Sequence, residues 1–431
     1  MFEYVASGLS HTRITSEYSG SHSTTQMIVK DISSSVQDHH NHKISVLYNA
    51  YTEEKFSQKI PRVFGPEYKN IYSDSGGLQI LTLGKQFTPE LKRRIYRNQG
   101  LYSDFAMSFD EIPIENVSSS TSITSKNNKV FNSSLLNDYA KKSGNNLKEQ
   151  IQIFQELGTD RRATILPIIQ GNTIQGCKDW FYYLFDPLTE EERAITSGLS
   201  FSMAAYGIGI KEELERIILM EELKEFYSHC HLLGISSIQR FLPLLIMKYN
   251  GFLKNVDYLS YDSTTLTSNI SRGRYFDKKG QQIGLGRFKT PIVTHVVEDM
   301  LDNIKEFNPG LLERYSLDLN EDILYASICQ PSKFEKCSGY TKEYSGVYKF
   351  LFYISQAYNF TRLFNNSLEY KSELENLISK YGYGFSGSLF SLLENVHSIE
   401  EYVEWESHVG SSLKSRKITH KSTIDFNSMF D

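Results

Sequence analysis

Cysteine is scarce in this chain: four in 431 residues, Cys177, Cys230, Cys329 and Cys337. So thin a supply excludes a disulfide-stapled secreted fold and fits a reducing compartment. No apolar run approaches the roughly 18–20 residues that a membrane helix needs; the longest, 241–247, is far too short. The opening MFEYVASGLSHTR lacks a basic segment followed by an apolar one, so it does not read as a secretory signal. A soluble, cytoplasmic protein is expected. Basic charge is not in excess either. The net charge of −5 carries no global nucleic-acid signature, so any such contact must come from local patches: Lys92, Arg93, Arg94 and Arg97, or Arg272 and Arg274. No internal repeat is evident.

What is present is the material of a large folded core. Apolar residues make up 40% and charged residues 23%, the ordinary balance of a globular protein, and the aromatic share of 13% supplies bulk for burial. The length predicts one large core with an appended subdomain. Short apolar, β-rich runs at 44–48, 70–72, 105–109, 163–169, 194–196, 230–233 and 256–261 each end in a small or polar cluster. Helix-compatible stretches at 88–99, 147–157, 211–226 and 238–249 lie between them. This alternation predicts parallel βαβ units. Polar residues close many of the strands, which favours a (β/α)8 TIM barrel over an open sheet, where they would gather at one switch point.

Two regions break the rhythm. Residues 117–146 are rich in Ser, Asn and Thr and read as a mobile insertion. From about residue 300 Tyr- and Leu-rich helical patterns take over, at 345–364, 367–381 and 388–396. The expected organisation is a barrel over 1–300 and a C-terminal helical subdomain over 301–431.

Six segments can carry chemistry. Asp74-Ser75-Gly76-Gly77-Leu78 reads either as a capped turn after a strand or as a carboxylate beside glycines that let a ligand approach the backbone. Asp110, in Ser108-Phe109-Asp110-Glu111, is a solvated acidic loop or a reader of guanine's Watson–Crick edge, since a carboxylate accepts from N1–H and the exocyclic amine together. Gln170 ends an apolar strand and can donate to a purine carbonyl while remaining uncharged. The turn at Gly198-Leu199 offers backbone N–H groups for the same oxygen, and Leu233-Gly234 an apolar wall for a flat base. These three read equally as core or turn. Asp262, in Tyr261-Asp262-Ser263, is a structural strand end or a nucleophile on a sugar C1′ with Asp74 as acid/base partner. Glycosyl transfer requires two such carboxylates in separate roles.

In this order, DSGG, FDE, QG, GL, LxG and YD, the segments resemble the tRNA-guanine transglycosylase superfamily over roughly residues 40–290. The resemblance implies a base-exchange enzyme on a (β/α)8 barrel. Asp262 would be the nucleophile and Asp74 the general acid/base. Ser75, Gly76, Gly77, Leu78, Asp110, Gln170, Gly198, Leu199, Leu233 and Gly234 would form the base pocket.

The sequence departs from the tRNA enzymes in ways that bear on substrate. Their zinc subdomain is built on CxCxxC and a later His; here only Cys329 and Cys337 occur in that region, so no structural zinc or other cofactor is expected. His39, His40 and His42 form a conceivable metal cluster that reads better as a solvated loop. Where the tRNA enzymes carry T-R-x-x-R-N-G after the nucleophile, this chain has Thr267-Ser268-Asn269-Ile270-Ser271-Arg272-Gly273. Losing a bidentate Arg contact removes about 1–3 kcal/mol of base discrimination. The aromatic that follows DSGG is Leu78. The stretch Ser200-Phe201-Ser202-Met203 lacks the carboxylate that suits an aminomethyl base, which favours 7-cyano-7-deazaguanine (preQ0). These features resemble the DNA-modifying branch, the 7-deazapurine-in-DNA transglycosylases, and imply DNA as partner, together with an accessory protein of a DNA-modification system. The target guanine would be extruded from the duplex, with Lys92, Arg93, Arg272 and Arg274 on the nucleic acid. A divergent enzyme acting on tRNA and an inactive nucleic-acid-binding subunit are the alternative expectations; a glycoside hydrolase would leave the base-reading residues unexplained.

Overall fold

Nine strand segments with helices between them form the scaffold. The computed structural model describes residues 2–6, 23–38, 44–51, 70–77, 88–117, 128–131, 133–171, 173–202, 210–234, 238–254, 256, 258–263, 265–286, 291–409 and 413. The strands of the main sheet are β1 (Phe2–Ala6), β2 (Ile44–Asn49), β3 (Ile71–Asp74), β4 (Phe105–Met107), β7 (Thr164–Leu166), β8 (Ile168–Ile169), β9 (Gly198–Ser202), β10 (His229–Leu233) and β11 (Tyr258–Ser263). Their order is β7-β4-β3-β2-β1-β11-β10-β9-β8. Neighbours pair in parallel, as in β1–β2, β4–β7, β8–β9, β9–β10 and β10–β11.

The two ends of that order, β7 and β8, are halves of one strand interrupted at Pro167, which has no N–H to give to a ladder. Residue 165 bonds toward both sides: it pairs with β4 and also bridges Thr196, with Ile165 N–H donating to Ile195 O and Ser197 N–H to Ile165 O, both at 3.2 Å. Ser200 N–H donates to Pro167 O at 2.8 Å. The sheet therefore returns on itself as a TIM-barrel-like α/β fold, as the alternation of runs predicted.

Helix starts follow local chemistry. In α2 (Pro89–Tyr102) Thr88 accepts from Leu91 N–H, Pro89 occupies a first-turn position where its missing N–H costs nothing, and Glu90 complements the helix dipole. The short α5 (Glu190–Arg193) carries a reciprocal Thr189–Glu192 capping box.

Two sequence expectations need correction. The insertion read over 117–146 is not a loop where it is described. β5 (Ile114–Val117) pairs antiparallel with β6 (Asn128–Phe131), and residues 136–146 open the helix α3 (Leu136–Glu156). Its Ser- and Asn-rich composition masked a helix whose polar residues pack: Ser143, Asn146 and Gln150 are buried and hydrogen-bonded, as in Ser143 Oγ accepting Glu111 N–H at 2.8 Å. Residues 118–127 lie outside the described residues. The strand read at 194–196 lies instead at 198–202, because the capping box holds the preceding residues in α5 and a turn.

The chain forms two compact units, one of residues 1–72 with 263–365 and one of 73–262 with 366–431. In the first, Asp299 is buried and accepts from Tyr275 Oη at 2.9 Å and Asn359 Nδ2 at 2.7 Å. That network ties the hairpin β12 (Arg274–Phe276) and β13 (Gln282–Gly284) to α9 (Pro291–Phe307) and α13 (Tyr344–Glu369). In the second, Asn250 donates to Leu392 O at 3.1 Å and Val396 O at 2.6 Å, joining the end of α7 (Ile238–Tyr249) to α15 (Ser386–Asn395). From residue 291 to 409 every described element is helical, so the strand pattern does fade near residue 300. The packing units are interleaved along the chain.

Candidate functional site

Side chains alternate sides along a strand, and β10 and β11 show what that alternation sorts. Leu199, Phe201, Cys230, Leu232, Leu259 and Tyr261 turn toward the helices; Tyr261, for example, meets Phe241 of α7 edge-on at 4.7 Å between ring centroids. The other series, His229, His231, Ser260 and Asp262, faces the barrel interior. Phe105 of β4 packs edge-on against His229 at 4.4 Å and stacks with Tyr258 at 6.2 Å. β4 neighbours neither β10 nor β11, so these rings meet across the interior.

At the C-terminal ends of the strands, where barrel enzymes build their sites, five of the residues singled out in the sequence stand in one unit: Asp74 closing β3, Asp110 after β4, Gln170 after β8, Gly234 after β10 and Asp262 within β11. They form two groups. Gln170 Nε2 donates to Asp110 Oδ2, and both side chains are buried. Burial pushes the Asp110 carboxyl up from its ordinary 3.8 to about 7; the Gln170 hydrogen bond opposes this, and the nearby charge of Asp74 adds to it. At neutral pH Asp110 is thus poised between acceptor and donor. In the other group the Gly234 N–H donates to Asp262 Oδ1 at 2.9 Å. Gly234 has φ of 70°, a left-handed conformation that suits glycine and aims its N–H at the carboxylate.

The surrounding polar groups fix these positions. Ser108 Oγ accepts Ile168 N–H at 2.9 Å, Trp180 Nε1 donates to Ile168 O at 2.9 Å, and Arg216 Nη2 donates to Gly171 O at 3.2 Å, so the Gln170 strand end is held from three directions. Gln99 donates to both Ser73 O and Met107 O, at 3.2 and 3.1 Å, locking β3 to β4 beneath the Asp74 and Asp110 carboxylates.

The glycines after Asp74 divide their work. Gly76 has φ of 82°. A Cβ on Gly77 would lie 3.0 Å from the Phe109 ring and 3.3 Å from Asp110 O, so that glycine makes room for the neighbouring strand end. Just before them the Ser75 hydroxyl is buried and has no hydrogen-bond partner among the described residues. Leu78 lies outside the described residues.

Gly198 and Leu199 do not join the group. Gly198 begins β9, paired with His229 at the start of β10, so it sits at the opposite end of the strand from Ser202. Leu199 turns outward toward the helices and is 1% exposed. The N–H of Ser200 is spent on Pro167 O, so the expected turn with free N–H groups is a strand. Leu233, the last residue of β10, is half-buried on the interior series.

The basic residues are placed unevenly. Lys92 Nζ donates to Asn146 Oδ1 at 2.6 Å and lies 3.5 Å from Glu149, while Arg93 pairs with Glu156. Both are thereby engaged with α3. Arg272 and Arg274 are exposed in the first unit. No group of three or more His, Cys, Asp or Glu side chains that could hold a metal ion occurs among the described residues; Cys329 is half-buried, Cys337 exposed, and His39, His40 and His42 lie outside those residues. No helix among the described residues is long and apolar enough to cross a membrane.

Sequence reasoning missed His229, His231 and Ser260. His231 Nδ1 is 2.8 Å from Ser260 Oγ, which is 2.9 Å from His229 Nε2, and His231 Nε2 is 3.4 Å from Asp262 Oδ1. The signal was present: His-x-His in β10 and Ser-x-Asp in β11 put polar residues on one side of otherwise apolar strands. The chain matches no protein family, and no curated protein matches it in sequence.

Proposed function

We propose that this chain is a guanine transglycosylase that exchanges guanine in DNA for 7-cyano-7-deazaguanine through a covalent aspartyl-glycosyl intermediate. The observation that carries the reading is the buried Asp110–Gln170 pair beside Asp74, in a barrel whose β11 carries Asp262. Carboxylate and amide together match the donor and acceptor edge of a guanine-like base. The ionised Asp110 accepts from N1–H and the exocyclic amine, and Gln170 donates to the carbonyl.

The chemistry divides between the two remaining carboxylates. Asp262 attacks C1′ and the pair of the C1′–N9 bond leaves with guanine, which takes a proton from Asp74. Asp74 then removes the N9 proton of the incoming base, whose nitrogen displaces Asp262 from C1′. Asp74 and Asp262 return to their starting states, and the sugar keeps its configuration after two inversions.

DNA is preferred over tRNA on the helix α8 (Thr265–Ser271). Ser268 and Ser271 stand where the tRNA enzymes carry arginines, and each hydroxyl is turned back to its own helix, to Thr265 O at 3.0 Å and Ser268 O at 2.9 Å. Neither offers a bidentate contact to a base. The cyano base is preferred because residues 200–202 carry no carboxylate to pair with an aminomethyl group.

The test is retention of 8-¹⁴C guanine in polymer after incubation with duplex DNA or, separately, bulk tRNA. Label in DNA alone supports the proposal. Label in tRNA alone keeps the chemistry and overturns the substrate. Wild-type protein that labels neither, with and without a lysate fraction supplying accessory protein, leaves a binding subunit as the better reading.

A further inference from the structure

We infer that His231 is a positioning residue for Asp262: its Nε2–H and the Gly234 N–H together hold Oδ1, leaving Oδ2 as the oxygen that bonds to the sugar. The inference rests on the base-exchange reading for its kinetic consequence, but the proton arrangement behind it follows from geometry alone.

Ser260 has one hydroxyl hydrogen and two imidazole neighbours, His231 Nδ1 at 2.8 Å and His229 Nε2 at 2.9 Å. No other described residue takes that hydrogen, so the hydroxyl donates to one ring and accepts from the other. If it accepted from His231 Nδ1–H, the neutral ring would turn a bare Nε2 toward Asp262 Oδ1 at 3.4 Å, two acceptors face to face in a buried site. That arrangement is costly. The other runs every donor toward the carboxylate: His229 Nε2–H to Ser260 Oγ, Ser260 O–H to His231 Nδ1, and His231 Nε2–H to Asp262 Oδ1. Burial, and secondarily the neighbouring His231, hold His229 well below the ordinary imidazole range, consistent with one proton on that ring. At 3.4 Å the two atoms are in electrostatic contact but outside hydrogen-bond geometry, and on this inference the contact closes to a hydrogen bond when substrate binds.

The consequence is an asymmetric carboxylate. Oδ1 takes the Gly234 N–H at 2.9 Å and has the imidazole Nε2 beside it at 3.4 Å. Oδ2 accepts from no described residue. When a lone pair on Oδ2 forms the bond to C1′ and the C1′–N9 pair departs with the base, Oδ1 becomes the ester carbonyl and loses its charge. When the incoming base displaces the ester, charge returns to the carboxylate and the waiting Nε2–H stabilises it. His231 therefore assists release of the nucleic acid without touching the base.

The test has two arms. In the first, the protein is labelled with ¹⁵N-histidine and the His231 signals are assigned by their loss in His231→Gln. A neutral ring with the proton on Nε2 is expected, with mixing of tautomers in Ser260→Ala. A proton on Nδ1, or on both nitrogens at neutral pH, overturns the inference, and this readout needs no activity. In the second, His231→Leu lowers kcat for guanine exchange by about ten- to a hundred-fold with KM for guanine unchanged. His231→Gln, whose amide N–H can take the place of Nε2–H, stays within about tenfold of wild type. Equal loss in both variants, or no loss in either, sinks the positioning role. Thermal unfolding of each variant is measured alongside, and Ser260→Ala replaces His231→Leu if the latter does not fold. Absence of exchange by the wild type would instead count against the base-exchange reading, and the tautomer would still be judged in the first arm.

Discussion

The Gln170 side-chain amide donates to Asp110 Oδ2, and the carboxyl that receives it is raised to about 7 because it is buried and faces Asp74. One hydrogen bond does not offset the lost hydration, so the pair is stable with a proton present and strained without it.

That relationship sets a pH dependence. Asp110 binds its proton more tightly folded, at about 7, than unfolded, near 3.8. Its contribution to stability is therefore full below pH 3.8 and is lost as pH rises through 7, by up to about 4 kcal/mol. Denaturant titrations should show Asp110→Asn gaining on wild type between pH 5 and pH 8. Parallel curves would refute the shift.

Base binding should run the other way. Guanine donates to Asp110 only when the carboxylate is ionised, so affinity should rise with pH up to about 7 and then level off. Calorimetry below pH 7 should register a proton released on binding. In Asp110→Asn the pH dependence should vanish along with most of the affinity.

Asp262→Asn should abolish exchange, by on the order of a thousand-fold or more, while still binding guanine. An amide oxygen can still accept the Gly234 N–H, so the thermal midpoint should move little. Exchange that survives the substitution removes Asp262 as nucleophile.

Gly198→Ala tests a glycine whose function is packing. A Cβ there would collide with the His229 backbone on the next strand, and relief requires that the two strands shift. We expect a loss of about 3 kcal/mol, with guanine affinity per folded molecule unchanged. An effect on affinity alone would return Gly198 to the base pocket.

The exposed arginines can be separated from the engaged basic residues by salt. If Arg272 and Arg274 contact phosphates, their joint replacement by Ala should reduce the slope of log affinity for DNA against log salt by about two. Lys92→Ala should leave the slope unchanged, since Lys92 already serves Asn146 and Glu149. The opposite ranking would move the nucleic-acid track to α2.

The barrel was legible in the sequence because a strand buried on both sides is written as a short apolar run, and the polar residue that ends it stands out. Asp74, Asp110, Gln170, Gly234 and Asp262 were all found that way, since position at a strand end is local information. The C-terminal helices were equally legible: runs read at 345–364 and 367–381 correspond to α13 and to α14 (Lys371–Tyr381). Composition misled where burial was decided by neighbours. Ser143 and Asn146 look like loop residues until their partners are in place, and Gly198 looks like a turn until β10 lies beside it.

The sequence by itself determined which residues lie at the ends of strands, because side-chain alternation and apolar runs are properties of a few consecutive residues. Only the tertiary structure decided which of those residues share a proton or a charge. Asp110 is raised by burial and by Asp74, and His231 stands between Ser260 and Asp262 of the next strand, because hydration and proximity are set by what packs alongside and not by the chain's own order.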